Sequence, residues 1–455
     1  MNGDTVVALS TPPGESGIAV VRVSGPEAVA IIESMVHGTR KWASHTSHRR
    51  LLRDERGDIL DDVMIQVMRS PDSFTGEDVV EISCHGAMQV VADVIEEIVR
   101  CGARAAGPGE FTRRAFLNGK LDLAQAEAIA DLIAAETRLQ RRVALEHLEG
   151  GLSRKVRGIE EILLDQLALI EASIDFAEDE ITTFNPEELG LIAGELRGRI
   201  EELLDSEVAG GKLRRGIRVT IVGPRNAGKS SIYNALLGEE RAIVSPVPGT
   251  TRDILRERIH IKGFTYHLED TAGLAETGCD IEARGISIGR RAAREADLVM
   301  FVIDGSGAWR DEIAVGLETV DMAKTLFVLN KIDLGLSISQ QEAAQILGSP
   351  SVAAVSAISG EGLDTLRQWI FDRTVQQGMG EIGRERIAVN ARQGAALREA
   401  GEALRRFVAA LGDGAPAEIL SVEIRAAADA CGTVTGRTVT EDLLDVIFSR
   451  FCIGK

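Results

Sequence analysis

Apolar residues recur along this chain with two different periods, and the changes between them divide the sequence into regions. Up to about residue 118, short stretches of strand type alternate with longer helical ones. The pattern predicts strands at residues 5–9, 18–23, 62–68 and 79–83, and helices at 26–35 and 88–101. Turn residues at 11–14 and 107–109 separate them. Residues 1–118 are therefore expected to form a compact α+β domain.

From residue 119 the pattern becomes helical. A continuous apolar stripe predicts a long amphipathic helix, with its members three or four residues apart: Leu152, Val156, Ile159, Leu163, Leu167, Ile170 and Ile174. After residue 378 the helical period returns over residues 391–411, 417–430 and 440–448. A tail of about seventy residues makes only a small core by itself. We therefore expect residues 378–455 to pack on 119–212 as one discontinuous α-helical domain. Two separate helical domains are the alternative.

The region between them, residues 213–377, has short buried strands again, at 217–222, 264–268, 325–329 and 352–355. Each of these strands is followed by a polar or glycine-containing motif. Ligands of doubly wound α/β sheets bind at the carboxyl ends of the strands. The pattern predicts an inserted domain with a doubly wound sheet and one nucleotide site at that edge.

The first motif is GPRNAGKSS at residues 223–231, which has the spacing of a phosphate-binding loop. Glycines allow backbone N–H groups to surround phosphate oxygens at a helix N-terminus. Lys229 is expected to reach the β- and γ-phosphates, and the hydroxyl of Ser230 to bind magnesium. The predicted phosphate-binding residues of this loop are Asn226, Ala227, Gly228, Lys229, Ser230 and Ser231.

Three further motifs follow the other strands, one for magnesium and the γ-phosphate and two for the base. Asp270, Thr271, Ala272 and Gly273 form a D-x-x-G sequence, which suits a carboxylate near magnesium and a glycine N–H near the γ-phosphate. The sequence Asn330-Lys331-Ile-Asp333 follows the next strand. Asp333 can accept hydrogen bonds from guanine N1–H and the 2-amino group, whereas adenine lacks that pair of donors.

Asn330 can address the O6/N7 edge of the base, and Ser356-Ala357 can supply a backbone donor to O6. The motifs together predict a GTP site in a Ras-like P-loop G domain.

Composition narrows the possibilities. The 51 basic and 70 acidic residues give a net charge of −19, and aromatic residues make up 4% of the chain, which argues against a protein coated by nucleic acid. The five cysteines show no paired spacing of a disulfide framework or zinc site. The chain has neither a signal-type start nor an uninterrupted apolar run of about 18 residues. We expect a cytoplasmic protein with no membrane partner.

The chain resembles the tRNA-modification GTPases of the MnmE (TrmE) family over nearly its whole length. The most telling stretches are residues 74–78 (FTGED), 109–118 (GEFTRRAFLN), 121–131 (LDLAQAEAIAD), 249–253 (GTTRD) and 452–455 (CIGK). The resemblance implies a homodimer that assembles with the flavin-dependent protein MnmG (GidA) into a heterotetramer. Together they would add an aminomethyl or carboxymethylaminomethyl group to C5 of the wobble uridine of certain tRNAs.

The resemblance also implies how GTP is hydrolysed. The position after Gly273, where small GTPases carry a water-orienting glutamine, is Leu274, and Glu282 is implied to orient the water instead. Taken alone, Glu282 would be a solvated acid of a switch loop. A potassium ion is implied in place of an arginine finger, with Asn226, Ser245, Val247 and Thr250 as ligands. Thr251 would join Ser230 at magnesium, and the implied GTP-binding loop comprises Ser245, Pro246, Val247, Pro248, Gly249, Thr250 and Thr251.

A tetrahydrofolate, in the 5-formyl or 5,10-methylene form, is implied as the one-carbon donor bound by the N-terminal domain. The matching positions are Arg22, Glu81, Lys120 and Lys455, any of which alone would be an ordinary surface charge. Cys452 lies near this site in the resemblance, as a nucleophile, a neighbour or an inert thiol. The basic pairs 113–114, 141–142 and 405–406 are either tRNA phosphate contacts or solvated helix faces.

Two other classes compete with this interpretation. A regulatory GTPase of ribosome assembly would usually carry an appended basic RNA-binding domain, which this acidic chain lacks. A membrane-associated transport G protein would need a spanning segment.

Overall fold

The structure, a computed structural model, describes residues 3–36, 42–175, 184–238, 256–270, 291–307, 313, 317, 320–375 and 387–454. The chain forms two compact units. The first comprises Met1–Ala130, His147–Leu191 and Glu402–Lys455, and the second comprises Asp131–Glu146 and Ile192–Gly401. No helix among the described residues has both the length and the apolar character that crossing a membrane requires.

The described residues include fourteen α-helices and twelve strands. The helices are α1 (Ala28–Ser34), α2 (Met88–Arg100), α3 (Glu110–Leu117), α4 (Leu123–Ile133), α5 (Arg138–Leu148), α6 (Gly151–Asp175), α7 (Pro186–Asp205), α8 (Glu207–Arg215), α9 (Lys229–Gly238), α10 (Gln340–Leu347), α11 (Leu363–Val375), α12 (Ala391–Gly412), α13 (Ala417–Thr435) and α14 (Glu441–Phe448). The strands are β1 (Val6–Leu9), β2 (Ser16–Ser24), β3 (Thr46–Arg53), β4 (Ile59–Met68), β5 (Val79–Gly86), β6 (Arg104–Ala105), β7 (Ile217–Val222), β8 (Arg256–Ile261), β9 (Phe264–Asp270), β10 (Leu298–Asp304), β11 (Thr325–Asn330) and β12 (Val352–Ala354).

The first unit contains a six-stranded sheet in the order β3-β4-β5-β2-β1-β6. All of its pairs are antiparallel except β1 and β6. Val21 and Ile82 on neighbouring strands are fully buried in one core with Val94 and Ile98 of α2. Because side chains alternate across a strand, Arg22 and Glu81 lie on the other face, and the register places them directly opposite each other.

The helical part of the first unit is built on α6 and α13, which pack along each other. The predicted apolar stripe of α6 is confirmed, since its first six members are at most 6% exposed. Ile447 and Phe448 of α14 join a further core with Leu123 and Ala126 of α4. The C-terminal helices therefore share a core with helices from before the insertion, and the helical domain is discontinuous.

The C-terminal tail lies against the N-terminal sheet in the first unit. Ile453 forms a β-bridge with Pro108, and Ser10 donates a hydrogen bond to the carbonyl of Gly454 at 3.1 Å. Gly454 has φ +91°, and a Cβ there would lie 2.1 Å from the carbonyl oxygen of Leu9. Only glycine fits this approach without displacing backbone.

The second unit contains a sheet in the order β12-β11-β10-β7-β9-β8. Its strands are parallel apart from the β8–β9 hairpin. The strand order reverses direction at β7, which makes the carboxyl end of β7 the expected position of a ligand. The predicted doubly wound sheet is confirmed, with an antiparallel edge.

The core of this second sheet also uses residues from outside the strands and their connecting helices. Val143 of α5, Ala209 of α8 and Ala388 belong to the same buried cluster as Val219 and Ile221 of β7. At the tip of the β8–β9 hairpin, the Thr137 hydroxyl donates to the carbonyl of Gly263 at 2.7 Å. Segments before and after the insertion therefore complete the second unit.

The periodicity leaves β3, β6, β8 and β10 unpredicted, although β10 is a continuous buried apolar run inside its sheet. Strands β3 and β8 are edge strands whose sequences, TSHRRLLR and RERIHI, carry several charged residues. An edge strand has one side open to solvent and tolerates such residues. Its apolar signal is weaker as a result.

Candidate functional site

The phosphate loop begins where buried strand β7 ends and finishes where α9 starts at Lys229. Gly223 has φ +142°, and a Cβ there would lie 2.2 Å from the carbonyl oxygen of Val302. Gly228 has φ +90°, and its Cβ would lie 2.2 Å from Nδ2 of Asn330. Both glycines are needed because backbone or a buried side chain occupies the space of a larger residue. Backbone N–H groups at the start of α9 then form an anion-binding site.

The side chain of Lys229 is hydrogen-bonded to the backbone of the phosphate loop. Its Nζ donates hydrogen bonds to the carbonyls of Gly223 at 3.0 Å and Pro224 at 2.7 Å. Burial lowers the pKa of Lys229, although the carboxylate of Asp270 opposes this. The side chain is thus held beside the backbone that would surround the phosphates.

A hydroxyl and a carboxylate meet next to this lysine. The Ser230 hydroxyl donates to Oδ2 of Asp270 at 2.9 Å, joining the first turn of α9 to the end of β9. Asp270 is 8% exposed. Magnesium is a hard cation that prefers oxygen ligands, commonly one or two protein oxygens together with phosphate oxygens and waters. The pair fits a magnesium ion bound with a nucleotide.

The side chain of Asn330, which is 2% exposed, connects three loops of the site. Its Nδ2 donates to the carbonyl of Ala227 in the phosphate loop at 3.0 Å. Its Oδ1 accepts from the backbone N–H of Ala357, beyond β12, at 3.1 Å. The phosphate end and the base end of the site are therefore linked through one amide group.

The predicted backbone donors to guanine O6 are engaged within the protein. The N–H of Ser356 donates to the carbonyl of Glu361 at 2.9 Å, and that of Ala357 donates to Asn330. Asp333 is exposed in a 3₁₀ turn after β11. This position leaves the Asp333 carboxylate accessible to a base.

Asp304 belongs to the site although none of the sequence motifs predicts it. It ends β10 and accepts a hydrogen bond from Lys331 Nζ at 2.6 Å. Burial raises the pKa of Asp304, but hydrogen bonds from Lys331 and Ser306 outweigh burial and lower it. The pair fixes Lys331, which has φ +67°. The position of Asp304 at the end of an apolar strand was the available signal.

Several predicted site residues lie outside the described residues. They are Ser245, Pro246, Val247, Pro248, Gly249, Thr250, Thr251, Thr271, Ala272, Gly273, Glu282 and Lys455. Among the four predicted potassium ligands, Asn226 lies in the part of the chain that the structure describes. It is exposed and has φ +62°, a conformation uncommon outside glycine.

A second group of predicted residues lies on the sheet of the first unit. Arg22 donates to Oε1 of Glu81 through Nε at 2.9 Å and Nη2 at 2.7 Å. Its Nη1 donates to the tail carbonyl of Gly454 at 3.4 Å, and its guanidinium lies 5.6 Å from the ring centres of Phe74 and Phe111. The structure thus brings Arg22, Glu81 and the tail together.

Lys120 and Cys452 lie at the edges of this region. Lys120 Nζ donates to the carbonyl of Pro71 at 3.0 Å, on the loop that also contains Phe74. Cys452 is an exposed free thiol, and its carbonyl accepts from the N–H of Gly109 at 3.3 Å.

Arg114, by contrast, is neither an RNA contact nor part of a solvated face. It is 8% exposed and pairs with Asp4, Glu77 and Glu110. Its role is structural.

The strand order, the glycine-containing phosphate loop and the hydroxyl–carboxylate pair define a P-loop protein that binds GTP with magnesium. The family model described as MnmE helical domain matches residues 123–452, and that of the GTP-binding protein TrmE N-terminus matches residues 5–120. The chain belongs to the MnmE (TrmE) family and is a GTP hydrolase.

Relatives named tRNA modification GTPase MnmE match over full length. The protein of Geobacter metallireducens is 42% identical and that of Moorella thermoacetica 43% identical, with 99% and 100% of both chains covered. That of Aquifex aeolicus is 40% identical, covering 99% of this chain and all of its own. A solved structure, the G domain of the T. maritima FeoB iron transporter, is 29% identical and covers 34% of this chain and 98% of its own. Its TM-score of 0.26 is too low to establish a shared fold.

Replacing Asn330 with alanine is expected to weaken GTP and GDP binding by roughly tenfold or more, because each buried hydrogen bond left unmade costs about 1–3 kcal/mol. Fluorescence titration with a labelled guanine nucleotide measures the affinity. Asn234→Ala, at an exposed position of α9, is the matched control and should bind as the wild type does. Equal affinities of the two variants would contradict the linking role of Asn330.

Proposed function

We propose that this GTPase modifies tRNA at C5 of the wobble uridine, adding an aminomethyl or carboxymethylaminomethyl group. The observation that carries the proposal is the full-length match to relatives named tRNA modification GTPase MnmE. The linked nucleotide site supports its GTPase part. The proposed partners are a second copy of the chain, flavin-dependent MnmG (GidA) in a heterotetramer, and the tRNA, all in the cytoplasm.

The proposed division of labour follows four segments of the chain. Residues 1–118 would bind the one-carbon donor and dimerise, and residues 213–377 would bind and hydrolyse GTP. Residues 119–212 and 378–455 would form the two parts of the helical domain. The shared core of α4 with α14 supports the helical assignment.

At the nucleotide site, Lys229 and the N-terminus of α9 would bind the phosphates. Ser230 and Thr251 would hold magnesium, and Asp333 would accept from guanine N1–H and the 2-amino group. Asn330 carries a second N–H beyond the one bonded to Ala227, and we assign it to guanine N7.

Hydrolysis needs an oriented water and a positive charge near the transferring phosphoryl group. Leu274 has no polar atom in its side chain, and we assign the water to Glu282, the residue that the resemblance to the MnmE family implies. We assign the charge to potassium, held by Asn226, Ser245, Val247 and Thr250. Asn226 is exposed within the phosphate loop, which leaves its side chain accessible to an ion and supports its place in this set.

GTP hydrolysis should be faster in potassium than in sodium at matched ionic strength, because the larger ion fits the proposed ring of oxygen ligands. Phosphate release under saturating GTP measures the rate. Asn226→Ala should lose the potassium advantage, whereas Asn234→Ala should keep it. Equal wild-type rates in the two salts would refute the potassium assignment.

The one-carbon donor is proposed to bind beside Arg22 and Glu81, with Lys120 and Lys455 contacting its glutamate tail. The pterin ring offers a donor-rich edge that a carboxylate can accept from. Glu81 supports this because its Oε1 accepts from Arg22, which leaves Oε2 to receive a ligand donor. We leave Cys452 as a neighbour of this site.

Glu81→Ala should abolish binding of 5-formyltetrahydrofolate, because the ring edge loses its acceptor. Isothermal titration calorimetry of the full chain measures this, and GTP affinity should be unchanged. Glu96→Ala is the matched control, since Glu96 is exposed on α2, which covers the opposite face of the sheet. Wild-type folate affinity in the Glu81 variant would refute the site.

Nucleoside mass spectrometry of bulk tRNA from cells lacking this gene tests the function directly. We expect C5-substituted wobble uridines to disappear and to return with the wild-type gene. Glu282→Ala should not restore them, because it removes the group proposed to orient the water. An unchanged nucleoside profile with accumulating ribosomal subunits would instead favour the ribosome-assembly GTPase.

A further inference from the structure

A polar cavity of about 510 Å³ lies within the first unit. Its walls come from the segment between α3 and α4, from one side of α6, and from the turn after α13. The polar residues that matter are Lys120, Asp122, Arg157, Glu160, Thr435 and Arg437. A cavity of this size can hold a nucleotide-sized ligand.

Two ion pairs define the chemistry of the cavity. Arg157 donates to Oδ2 of Asp122 at 2.6 Å, and Arg437 donates through Nε to Oε1 of Glu160. The carboxylate side chains are 8% and 7% exposed, whereas the arginine side chains are 50% and 46% exposed. The buried acids therefore hold two half-exposed guanidinium groups at the cavity, and Nη2 of Arg437 also lies 3.6 Å from Oδ1 of Asp429.

The turn after α13 packs closely against Phe116 in the cavity wall. Gly436 has φ +93°, and a Cβ there would lie 2.6 Å from the ring of Phe116. Phe116 also lines the cavity and packs against Phe448 with ring centres 6.5 Å apart. An aromatic side chain is thus held beside the two arginine–carboxylate pairs.

The charges of the lining balance, since three cationic side chains meet three carboxylates. They are Lys120, Arg157 and Arg437 against Asp122, Glu160 and Glu161. A neutral lining does not favour a strongly anionic ligand. Because Asp122 and Glu160 are buried and already accept hydrogen bonds within the protein, the lining offers mainly its two half-exposed guanidinium groups, whose planar N–H donors suit the carbonyl oxygens of a uracil edge.

We propose that this cavity receives the substrate pyrimidine base of the tRNA. The inference rests on the proposed function, because an enzyme that modifies a base takes it out of the stack and into a pocket. Lys120 lines the cavity and also belongs to the proposed one-carbon site. The base in the cavity therefore lies next to the region where the donor binds.

The test compares two probes on the full-length chain. One is an anticodon stem-loop RNA with uridine at the wobble position, and the other is the same RNA with an abasic wobble position. The variants are Arg157→Lys and Arg437→Lys, which keep the charge beside each buried carboxylate but replace the planar group and its array of donors. The control is Arg425→Ala, because Arg425 pairs with Glu171 and joins the same helices α6 and α13.

The wild type should prefer the uridine RNA, and each lysine variant should lose that preference by on the order of tenfold, as expected when hydrogen bonds to a base edge are removed. Arg425→Ala should keep the preference. An unchanged preference in the lysine variants overturns the inference, and so does equal weakening of both RNAs, which indicates phosphate contact.

Loss of 5-formyltetrahydrofolate affinity with an intact RNA preference also overturns the inference, because the cavity then belongs to the folate. A wild type that does not distinguish the two RNAs counts against the proposed function as well. A wild type that does, with unaffected variants, removes only the cavity assignment.

Discussion

The nucleotide site depends on the buried amide of Asn330. Parallel strands of a sheet end side by side, but nothing in the ladder itself ties together the loops that follow them. Here one amide donates to the phosphate loop at Ala227 and accepts from the backbone of Ala357. Because the group is buried, both bonds are costly to lose. The loops proposed to recognise the phosphates and the base are consequently linked through one side chain, and a Cβ at position 228 would collide with that amide.

Arginines play the corresponding connecting role in the first unit. Arg114 joins Asp4, Glu77 and Glu110, and Arg104 also pairs with Glu110. Burial would raise the pKa of Glu110, but hydrogen bonds from Arg104, the Gly107 N–H and Arg114 lower it to about 2. The network therefore stays ionised at neutral pH. A buried pair of this kind is a poor source of net stability, yet removing one member leaves an uncompensated charge.

The sequence predicted most of the elements with strong periodicity and the residues in short contiguous motifs, such as Lys229, Ser230 and Asn330, but it missed the buried apolar strand β10. It missed edge strand β3, whose charged residues weaken the apolar signal. It also missed the burial of Arg114, because the partner Asp4 is 110 positions away and helical period does not reveal such partners. The contact of Arg22 with Gly454 spans 432 positions and depends on how the tail is placed. Contacts between residues far apart in the sequence are set by the tertiary structure, and the local pattern of apolar and polar residues does not predict them.

The core of the nucleotide-binding sheet extends beyond the inserted segment. Val143, Ala209 and Ala388 are buried with the strand residues Val219 and Ile221, yet they precede residue 213 or follow residue 377. A fragment of residues 213–377 would lack these three side chains, and the apolar surface of the sheet that they cover would become exposed to water. Each lost contact would lower the stability of the sheet. The GTP-binding region is thus not a portable module, and its properties in isolation would be those of a different and less stable molecule.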